Sequence, residues 1–165
     1  MKAYNRFPQQ EYQWTRKLGH GNNSRVYALS GSHAAKVFDQ KETPLFIESR
    51  TITEFECSNE WHEAGISVPR PEGVYTVKIW NSENLLGLFF PRLAYVMERI
   101  HGIGVTSLDG HEFHRVKSLF DREIEKAEKA GLRKNNPSIR DALYEPLTDN
   151  VYIIDFHTWS SSVSI

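Results

Sequence analysis

The sequence predicts an α+β fold in which a strand-rich first part is followed by a largely helical remainder. Short runs of strand-forming residues, separated by Gly, Asn and Ser, fill most of roughly the first hundred positions. One helical segment interrupts these runs, and a longer amphipathic one follows them. With 165 residues, 39% of them hydrophobic and 12% aromatic, the chain can bury a core in one domain or in two small lobes.

The segments follow a simple order along the chain. Three predicted strands lie in "YQWTRKLG", "SRVYALSG" and "HAAKVFD". A helix is predicted within "TPLFIESRTITEFECSNEWHEAG", stopping near Gly65, with one face marked by Ile52, Phe55, Asn59 and His62.

Two more strands and a long helix complete the pattern. The strands are predicted in "VYTVKIW" and "LLGLFFPRLAYVMERI", on either side of the turn "NSEN". The helix is predicted from Ser107 to Gly131, because apolar residues recur there at helical spacing: Phe113, Val116, Phe120, Ile124 and Ala127.

The segment "LGHGNNSRVY" is a candidate phosphate-binding turn. Gly19 and Gly21 allow a phosphate to approach the backbone closely, and Val26 would cover a base. Ser24 occupies the place of the third glycine in the usual G-x-G-x-x-G pattern. Glycine and asparagine are also ordinary hairpin residues, so a plain turn is the alternative interpretation.

A candidate ion pair joins the third strand to the first helix. Lys36 ends the apolar run in "AAKVF", and Glu54 lies eighteen residues later on the helix, where its carboxylate could hold the lysine toward phosphates. Glu48, Glu56 and Glu60 compete for this role. The alternative is a solvent-facing lysine and a solvated helix acid.

Two further motifs follow. "YVMERIHG" is a strand that ends in Met97 and Glu98 before an irregular segment. "VYIIDF" delivers Asp155 at the end of a buried strand, and an acid in this position is often a metal ligand.

In this order and approximate spacing, the motifs resemble those of the protein-kinase-like superfamily from Leu18 to Trp159, with most similarity to RIO-type and aminoglycoside-phosphotransferase-like kinases. The resemblance implies a two-lobed fold. Residues 1–100 would form a nucleotide-binding lobe of antiparallel sheet and one helix, and residues 101–165 a strongly truncated helical lobe. It also implies ATP with Mg²⁺ or Mn²⁺, in a pocket formed by Gly19, Gly21, Val26, Ala34, Lys36, Glu54, Met97, Glu98 and Ile100.

The resemblance leaves two alignments of the catalytic loop. These families carry a catalytic Asp, an Asn five positions later and a metal-binding Asp on the next strand. Counting back from Asp155 puts Asp141 at the Asn position and Asn136 at the catalytic position, which makes Asp141 and Asp155 the implied metal ligands. The rival alignment reads "IRD" as His-Arg-Asp, which makes Asp141 the catalytic acid and puts Pro146, which has no ligand side chain, at the Asn position. We prefer the first alignment.

In the preferred alignment Lys36, Asn136 and Asp155 are the catalytic residues, and Asn136 cannot accept a proton. General-base assistance, typically worth about 10²–10⁴-fold, would therefore be absent. Only "SSVSI" follows "DFHTWS", so we expect that a partner completes the second lobe or that the substrate binds in another way.

Three interpretations of function remain. One is a slow kinase that transfers the γ-phosphate of ATP to Ser or Thr of a protein, or to a small molecule. The second is a pseudokinase that binds nucleotide or a protein partner, and the third is a structural domain with accidental motifs. The net charge of −1 argues against nucleic-acid and membrane partners. The polar start and the short apolar run "LLGLFF" predict a cytoplasmic protein, and the single Cys57 excludes an internal disulfide.

Overall fold

A computed structural model describes residues 7–12, 14–20, 23–29, 31–39, 41–79, 91–134, 138–155 and 159–161. The chain divides into two compact units: unit 1 is Met1–Phe55 with Pro71–Arg99, and unit 2 is Glu56–Arg70 with Ile100–Ile165. Residues 56–70 thus group with the carboxy-terminal segment. The predicted lobes, 1–100 and 101–165, stay a prediction.

Unit 1 contains a six-stranded sheet. Its strands run in the spatial order β1-β5-β6-β4-β3-β2. They are β1 (Gln9–Tyr12), β2 (Trp14–His20), β3 (Ser24–Leu29), β4 (His33–Phe38), β5 (Pro71–Ile79) and β6 (Pro91–Glu98). The strands that follow one another from β2 to β4, and the pair β5 and β6, are antiparallel neighbours.

The α+β class is confirmed, but the expectation of a purely antiparallel sheet is wrong because β1 pairs with β5 in parallel. A parallel pair needs a long crossover, here most of unit 1, which no local pattern reveals. One residue separates Tyr12 of β1 from Trp14 of β2, so their Cα atoms lie within about 7.6 Å. The outer strands of a flat six-stranded sheet would be about 24 Å apart. The end of β1 and the start of β2 are therefore close, although the two strands lie at opposite edges of the sheet.

Each face of this sheet buries a different set of side chains. Residues two apart on a strand share a face, and so do direct partners on neighbouring strands. One face carries an aliphatic cluster with Tyr27 and Tyr75 packed against it: Leu29, Ala35, Val37, Val77, Ala94 and Val96. The other face carries Ala34, Tyr95 and Met97, with Val26 and Phe55 packed on them. We call this second face the lysine face, because Lys36 lies on it.

Helix α1 (Pro44–Glu63) begins and ends with standard caps. Thr43 accepts a hydrogen bond from Phe46 N–H through Oγ1, and Pro44 occupies the first helical position. At the other end Gly65 adopts φ 76°, and the amides of Gly65 and Ile66 donate to the carbonyls of His62 and Trp61. The stop predicted at Gly65 is confirmed.

The buried face of α1 is not the predicted one. The predicted face contained Ile52, Phe55, Asn59 and His62, of which His62 is exposed and the other three are half-buried. The buried residues lie one position earlier in the helical register: Ile47, Thr51, Glu54, Ser58 and Trp61. The expectation failed because three of these five are polar, so hydrophobicity does not mark the face that packs.

Unit 2 is built around helix α2 (Gly110–Lys129), as the apolar stripe predicted. Asp109 caps α2 by accepting a hydrogen bond from Glu112 N–H. The strands of the unit are β7 (Ile103–Gly104), β8 (Leu132–Lys134), β9 (Ala142–Glu145), β10 (Asn150–Ile153) and β11 (Trp159–Ser161). They form a three-stranded sheet, β10-β9-β7, and a separate pair, β11-β8. The core includes Val116 and Phe120 of α2, with Trp61, Ile66, Val105, Tyr144, Val151 and Ile153.

A buried carboxylate ties α2 to the rest of unit 2. Glu123 accepts hydrogen bonds from Ser67 N–H (2.9 Å) and from Lys126 Nζ (2.5 Å). The carbonyl of the same Ser67 accepts from Ile153 N–H at 3.0 Å. Ser67 therefore links α2 to β10 through its two backbone groups. Within the described residues, neither α1 nor α2 has an apolar stretch long enough to cross a membrane.

Candidate functional site

The predicted ion pair between Lys36 and Glu54 is present in unit 1. Nζ of Lys36 lies 2.5 Å from Oε1 of Glu54, and the side chains are only 6% and 1% exposed. Its side chains are far more buried than those of the surface pairs Arg25–Asp39, Lys117–Asp121 and Lys129–Glu125. Its isolation from water makes the mutual attraction of the charges much stronger than at a surface.

The register of the sheet and the packing of α1 on it bring the charged groups of Lys36 and Glu54 into contact. In the ladder, Lys36 pairs with Val26 on one side and with Tyr95 on the other. Tyr95 is 1% exposed and meets the ring of Phe55 edge to face, with centroids 6.2 Å apart. Phe55 follows Glu54 on α1, so this aromatic contact seats the helix on the sheet at the level of the carboxylate.

The surroundings of the ammonium are mostly apolar. The ring centroid of Phe38, two residues further along β4, lies 5.8 Å from Lys36 Nζ. A cation over an aromatic face is stabilised by the quadrupole of the ring. Taking a lysine and a glutamate out of water costs several kcal/mol for each ion, and a short, well-aligned contact is needed to offset that cost.

Several other predicted pocket residues share the lysine face. Gly19 pairs with Val26, and Val26 pairs with Lys36. The neighbouring row of the same face contains Ala34 paired with Met97. A lysine, an apolar strand residue and a small alanine thus lie on one surface of the sheet. Gly21 lies outside the described residues.

Glu98 and Ile100 are placed differently. Glu98 is the last residue of β6 and pairs with His33, so its side chain points to the opposite face from Met97. Arg99 N–H donates to the Ser32 carbonyl at 2.7 Å, which fixes the chain just past the strand. Ile100 is half-buried and belongs to unit 2.

Two aromatic residues that flank Lys36, Tyr95 and Phe38, were not among the predicted site residues. The position of both residues on the lysine face could have been predicted, because alternate residues of a strand share a face. Phe38 lies two positions from Lys36, and Tyr95 two positions from Met97. The buried Thr51 and Ser58 of α1, by contrast, carried no signal that separates them from solvated helix residues.

In unit 2 the backbone brings the two candidate metal ligands together. Asp141 ends a 3-10 turn (Ile139–Asp141) directly before β9. Its carbonyl accepts a hydrogen bond from Ile154 N–H at 2.9 Å, and Asp155 is the next residue. Both acids are therefore at the open end of the β9–β10 hairpin and are half-buried.

The third predicted residue of this region, Asn136, lies outside the described residues. Lys134, two positions before it, pairs with Trp159, four positions after Asp155.

The closed end of the same hairpin is braced against α2. Arg115 donates to Asp149 Oδ1 and to the Tyr144 hydroxyl, both at 2.5 Å, and that hydroxyl donates to Asp149 at 2.9 Å. Asp149 has φ 54°, a left-handed conformation that aspartate tolerates better than most residues. The hydrogen bond from Arg115, and next that from Tyr144, lower the pKa of Asp149 below its usual value. The same two contacts raise the pKa of Arg115.

The chemistry of Asp141 and Asp155 suits a magnesium ion that is shared with a phosphate. Mg²⁺ prefers oxygen ligands and is commonly held by one or two carboxylates, with phosphate oxygens and water completing its coordination. The described residues contain no group of three or more His, Cys, Asp or Glu side chains able to hold a metal by themselves.

No protein-family model matches the sequence, and no curated protein matches it either.

The burial of Lys36 and Glu54 predicts a large coupling between them in stability. Lys36→Met and Glu54→Leu should each lower the free energy of unfolding by about 3–5 kcal/mol, because each removes the 2.5 Å contact between two buried charges. The double variant Lys36→Met/Glu54→Leu should recover most of this loss, since two apolar side chains replace two ions. Urea unfolding of the four proteins measures the coupling.

The exposed pair Lys129–Glu125 is the matched control, with Nζ–Oε1 2.8 Å and side chains 72% and 62% exposed. Lys129→Met should change stability by less than about 0.5 kcal/mol. If the buried double variant is as unstable as the sum of its single variants, the ions are not coupled.

The brace at Asp149 predicts a pH-dependent stability. A carboxylate whose folded pKa is lowered stabilises the fold above its unfolded pKa of about 3.9, and the stabilisation is lost as the pH falls through the folded pKa. Asp149→Asn should therefore melt below the wild type at pH 7, and the gap should close toward pH 3. Thermal unfolding at a series of pH values tests this. Asp121→Asn, in the exposed Lys117–Asp121 pair, is the control; a gap that persists unchanged at pH 3 would contradict the expectation.

Proposed function

We propose that this chain is a minimal kinase-like phosphotransferase, which binds ATP with Mg²⁺ or Mn²⁺ and transfers the γ-phosphate slowly to Ser or Thr of a protein. In this proposal unit 1 is the nucleotide-binding lobe and unit 2 is the lobe that supplies the metal ligands. The observation that carries the proposal is the buried Lys36–Glu54 pair on a sheet face that it shares with Val26, Ala34 and Met97.

Unit 1 supports nucleotide binding through the combination of groups on the lysine face. A lysine held by a carboxylate keeps a fixed direction, which suits it to contact phosphate oxygens. Val26, Ala34 and Met97 offer an apolar surface on which a purine base can pack. A structural domain with accidental motifs gives no reason for a lysine and a glutamate to be buried together.

Unit 2 supports the alignment in which Asp141 and Asp155 are the metal ligands. The bond between Ile154 N–H and the Asp141 carbonyl puts these acids at the same end of the hairpin. Pro146, which the rival alignment places at the ligand position, follows β9 at the opposite end of the hairpin. Five residues of extended strand span about 17 Å, so Pro146 is far from Asp155.

The preferred alignment also explains why turnover would be slow. Asn136 takes the position of the general base and cannot accept the proton of an acceptor hydroxyl. Phosphoryl transfer depends mainly on positioning and charge stabilisation, so loss of the base lowers the rate without abolishing it. The same exchange favours a second candidate, a pseudokinase that binds nucleotide without turnover.

ATP with Mg²⁺ should raise the melting temperature of the wild type. A ligand that binds only the folded state adds about 2.7 kcal/mol of stability at one hundred times its dissociation constant. The variant Lys36→Met/Glu54→Leu should lose this shift while remaining folded, whereas Lys129→Met should keep it. The double variant is preferred to Lys36→Met alone because it removes the carboxylate of Glu54 together with the ammonium that it contacts.

Three results are informative here. No shift in the wild type at saturating nucleotide removes the proposal. A full shift in the double variant shows that nucleotide binds away from Lys36. A shift in the wild type and in Lys129→Met, but not in the double variant, supports the assignment.

Variants of the hairpin acids and of Asn136 should separate metal binding from turnover. Asp155→Ala should reduce Mg²⁺-dependent nucleotide binding most and Asp141→Ala less, because Asp155 takes the place of the metal-binding Asp of the resembled families and Asp141 that of the Asn. Asn136→Asp should raise phosphate transfer by up to about 10²–10⁴-fold by restoring a base. Calorimetry and ATP turnover measure the two effects.

The rival alignment gives the opposite pattern. In that case Asp141→Ala would destroy turnover with little effect on binding, and Asn136→Asp would change nothing. Binding without turnover in the wild type and in Asn136→Asp would support the pseudokinase.

A further inference from the structure

A buried carboxylate in the apolar stripe of α2 has no part in the proposed chemistry. Glu123 is 9% exposed and lies between Phe120 and Ala127 on the face of α2 that packs into the core of unit 2. An aliphatic side chain would pack there without the cost of removing a carboxylate from water, so packing does not explain the charge. The contacts of Glu123 lead from α2 to the open end of the β9–β10 hairpin.

The first contact joins Glu123 to a backbone amide of the segment after α1. Oε2 of Glu123 accepts a hydrogen bond from Ser67 N–H at 2.9 Å, and Oε1 accepts from Nζ of Lys126, whose side chain is 56% exposed. A hydrogen bond to an ionised acceptor is roughly twice as strong as one between neutral groups. One oxygen therefore fixes Ser67, while the other is neutralised by a lysine at the surface.

The second contact passes from Ser67 to β10. The Ser67 carbonyl accepts from Ile153 N–H at 3.0 Å, and Ile154 N–H donates to the Asp141 carbonyl at 2.9 Å. Consecutive amides of an extended chain point to opposite sides, so the bond to Asp141 faces β9 and the bond to Ser67 faces away from it. β10 lies at the edge of its sheet, and Ser67 supplies a partner on the outer side of that edge. The chain is thus held from both sides immediately before Asp155.

We propose that Glu123 is a positioning residue for Asp155. By holding Ser67, it fixes the end of β10 from which Asp155 presents its carboxylate to the metal ion of the nucleotide. This inference rests on the proposed function, because it concerns the metal ligand of that same site. Glu123 does not contact the metal and acts only through two successive hydrogen bonds. Residues that orient a metal ligand in this way typically contribute about ten- to a hundredfold to metal affinity.

Calorimetric titration of Glu123→Leu and Glu123→Met with ATP, in the presence of Mg²⁺ and in the presence of a chelator, tests the proposal. Both side chains suit the apolar stripe, so the variants should fold, while Ser67 N–H loses its acceptor. Affinity for Mg·ATP should fall about ten- to a hundredfold, and affinity for metal-free ATP should be unchanged. Glu123→Gln should keep most of the affinity for Mg·ATP, because its amide oxygen can still accept from Ser67 N–H.

A double variant shows whether Glu123 acts through Asp155. In the background of Asp155→Ala, Glu123→Leu should cause no further loss of affinity for Mg·ATP, because the ligand that it positions is already absent. Tyr144→Phe is the control for a general loosening of unit 2, since it removes the hydroxyl contacts with Arg115 and Asp149 at the closed end of the hairpin. It should leave the ratio of the affinities for Mg·ATP and metal-free ATP unchanged.

The outcomes separate this inference from the function on which it rests. If the wild type does not bind Mg·ATP, or binds it no more tightly than metal-free ATP, the proposed function fails and the role of Glu123 with it. If the wild type prefers Mg·ATP and the apolar variants keep that preference, the role of Glu123 alone is overturned. Equal weakening of both forms, or a loss that multiplies with that of Asp155→Ala, would make Glu123 structural and also overturn its role.

Discussion

The buried ion pair between Lys36 and Glu54 is the constraint on which unit 1 depends. Both side chains are almost fully removed from water, so the energy of each charge depends on the position of the other. An apolar pair of similar volume would often be as stable or more stable, so stability is a poor reason for retaining two ions. A lysine with a fixed direction and an intact charge is, however, what contact with phosphate requires.

The same pair explains which features of α1 could be predicted and which could not. To bring Glu54 to the sheet, the helix buries Thr51 and Ser58 on either side of it, both 0% exposed. Hydrophobicity therefore pointed to the wrong face. In α2 no buried cation has to be met by the packed face, the apolar stripe is intact, and the periodicity predicted the helix and its buried Val116 and Phe120.

Local patterns predicted strands and motif spacing but not long-range pairing. The separation of Asp141 and Asp155 in sequence led to the expectation that they face one metal, and the hairpin brings their backbones together. The parallel pairing of β1 with β5 joins segments more than sixty positions apart, so no window of sequence contained both partners. From the sequence, Ser24 was noted only because it occupies the place of the third glycine in the G-x-G-x-x-G pattern. Its burial follows from the register with Phe38, which the sequence does not show.

The hairpin of unit 2 is held at both of its ends. Its closed end is fixed by Arg115, Tyr144 and Asp149, and its open end by the bond between Ile154 and Asp141. The hydrogen bond between Ile154 N–H and the Asp141 carbonyl keeps the backbones of Asp141 and Asp155 at the same end of the hairpin. Under the proposed function, the catalytic Asp and the Asn of the resembled families have changed places in this chain. Asp141 is then a charged ligand on this hairpin, and Asn136 is a neutral amide at the catalytic position. In this proposal nucleotide affinity depends on Asp141 and proton transfer on the residue at position 136. The exchange therefore preserves nucleotide binding while it lowers the rate of phosphate transfer.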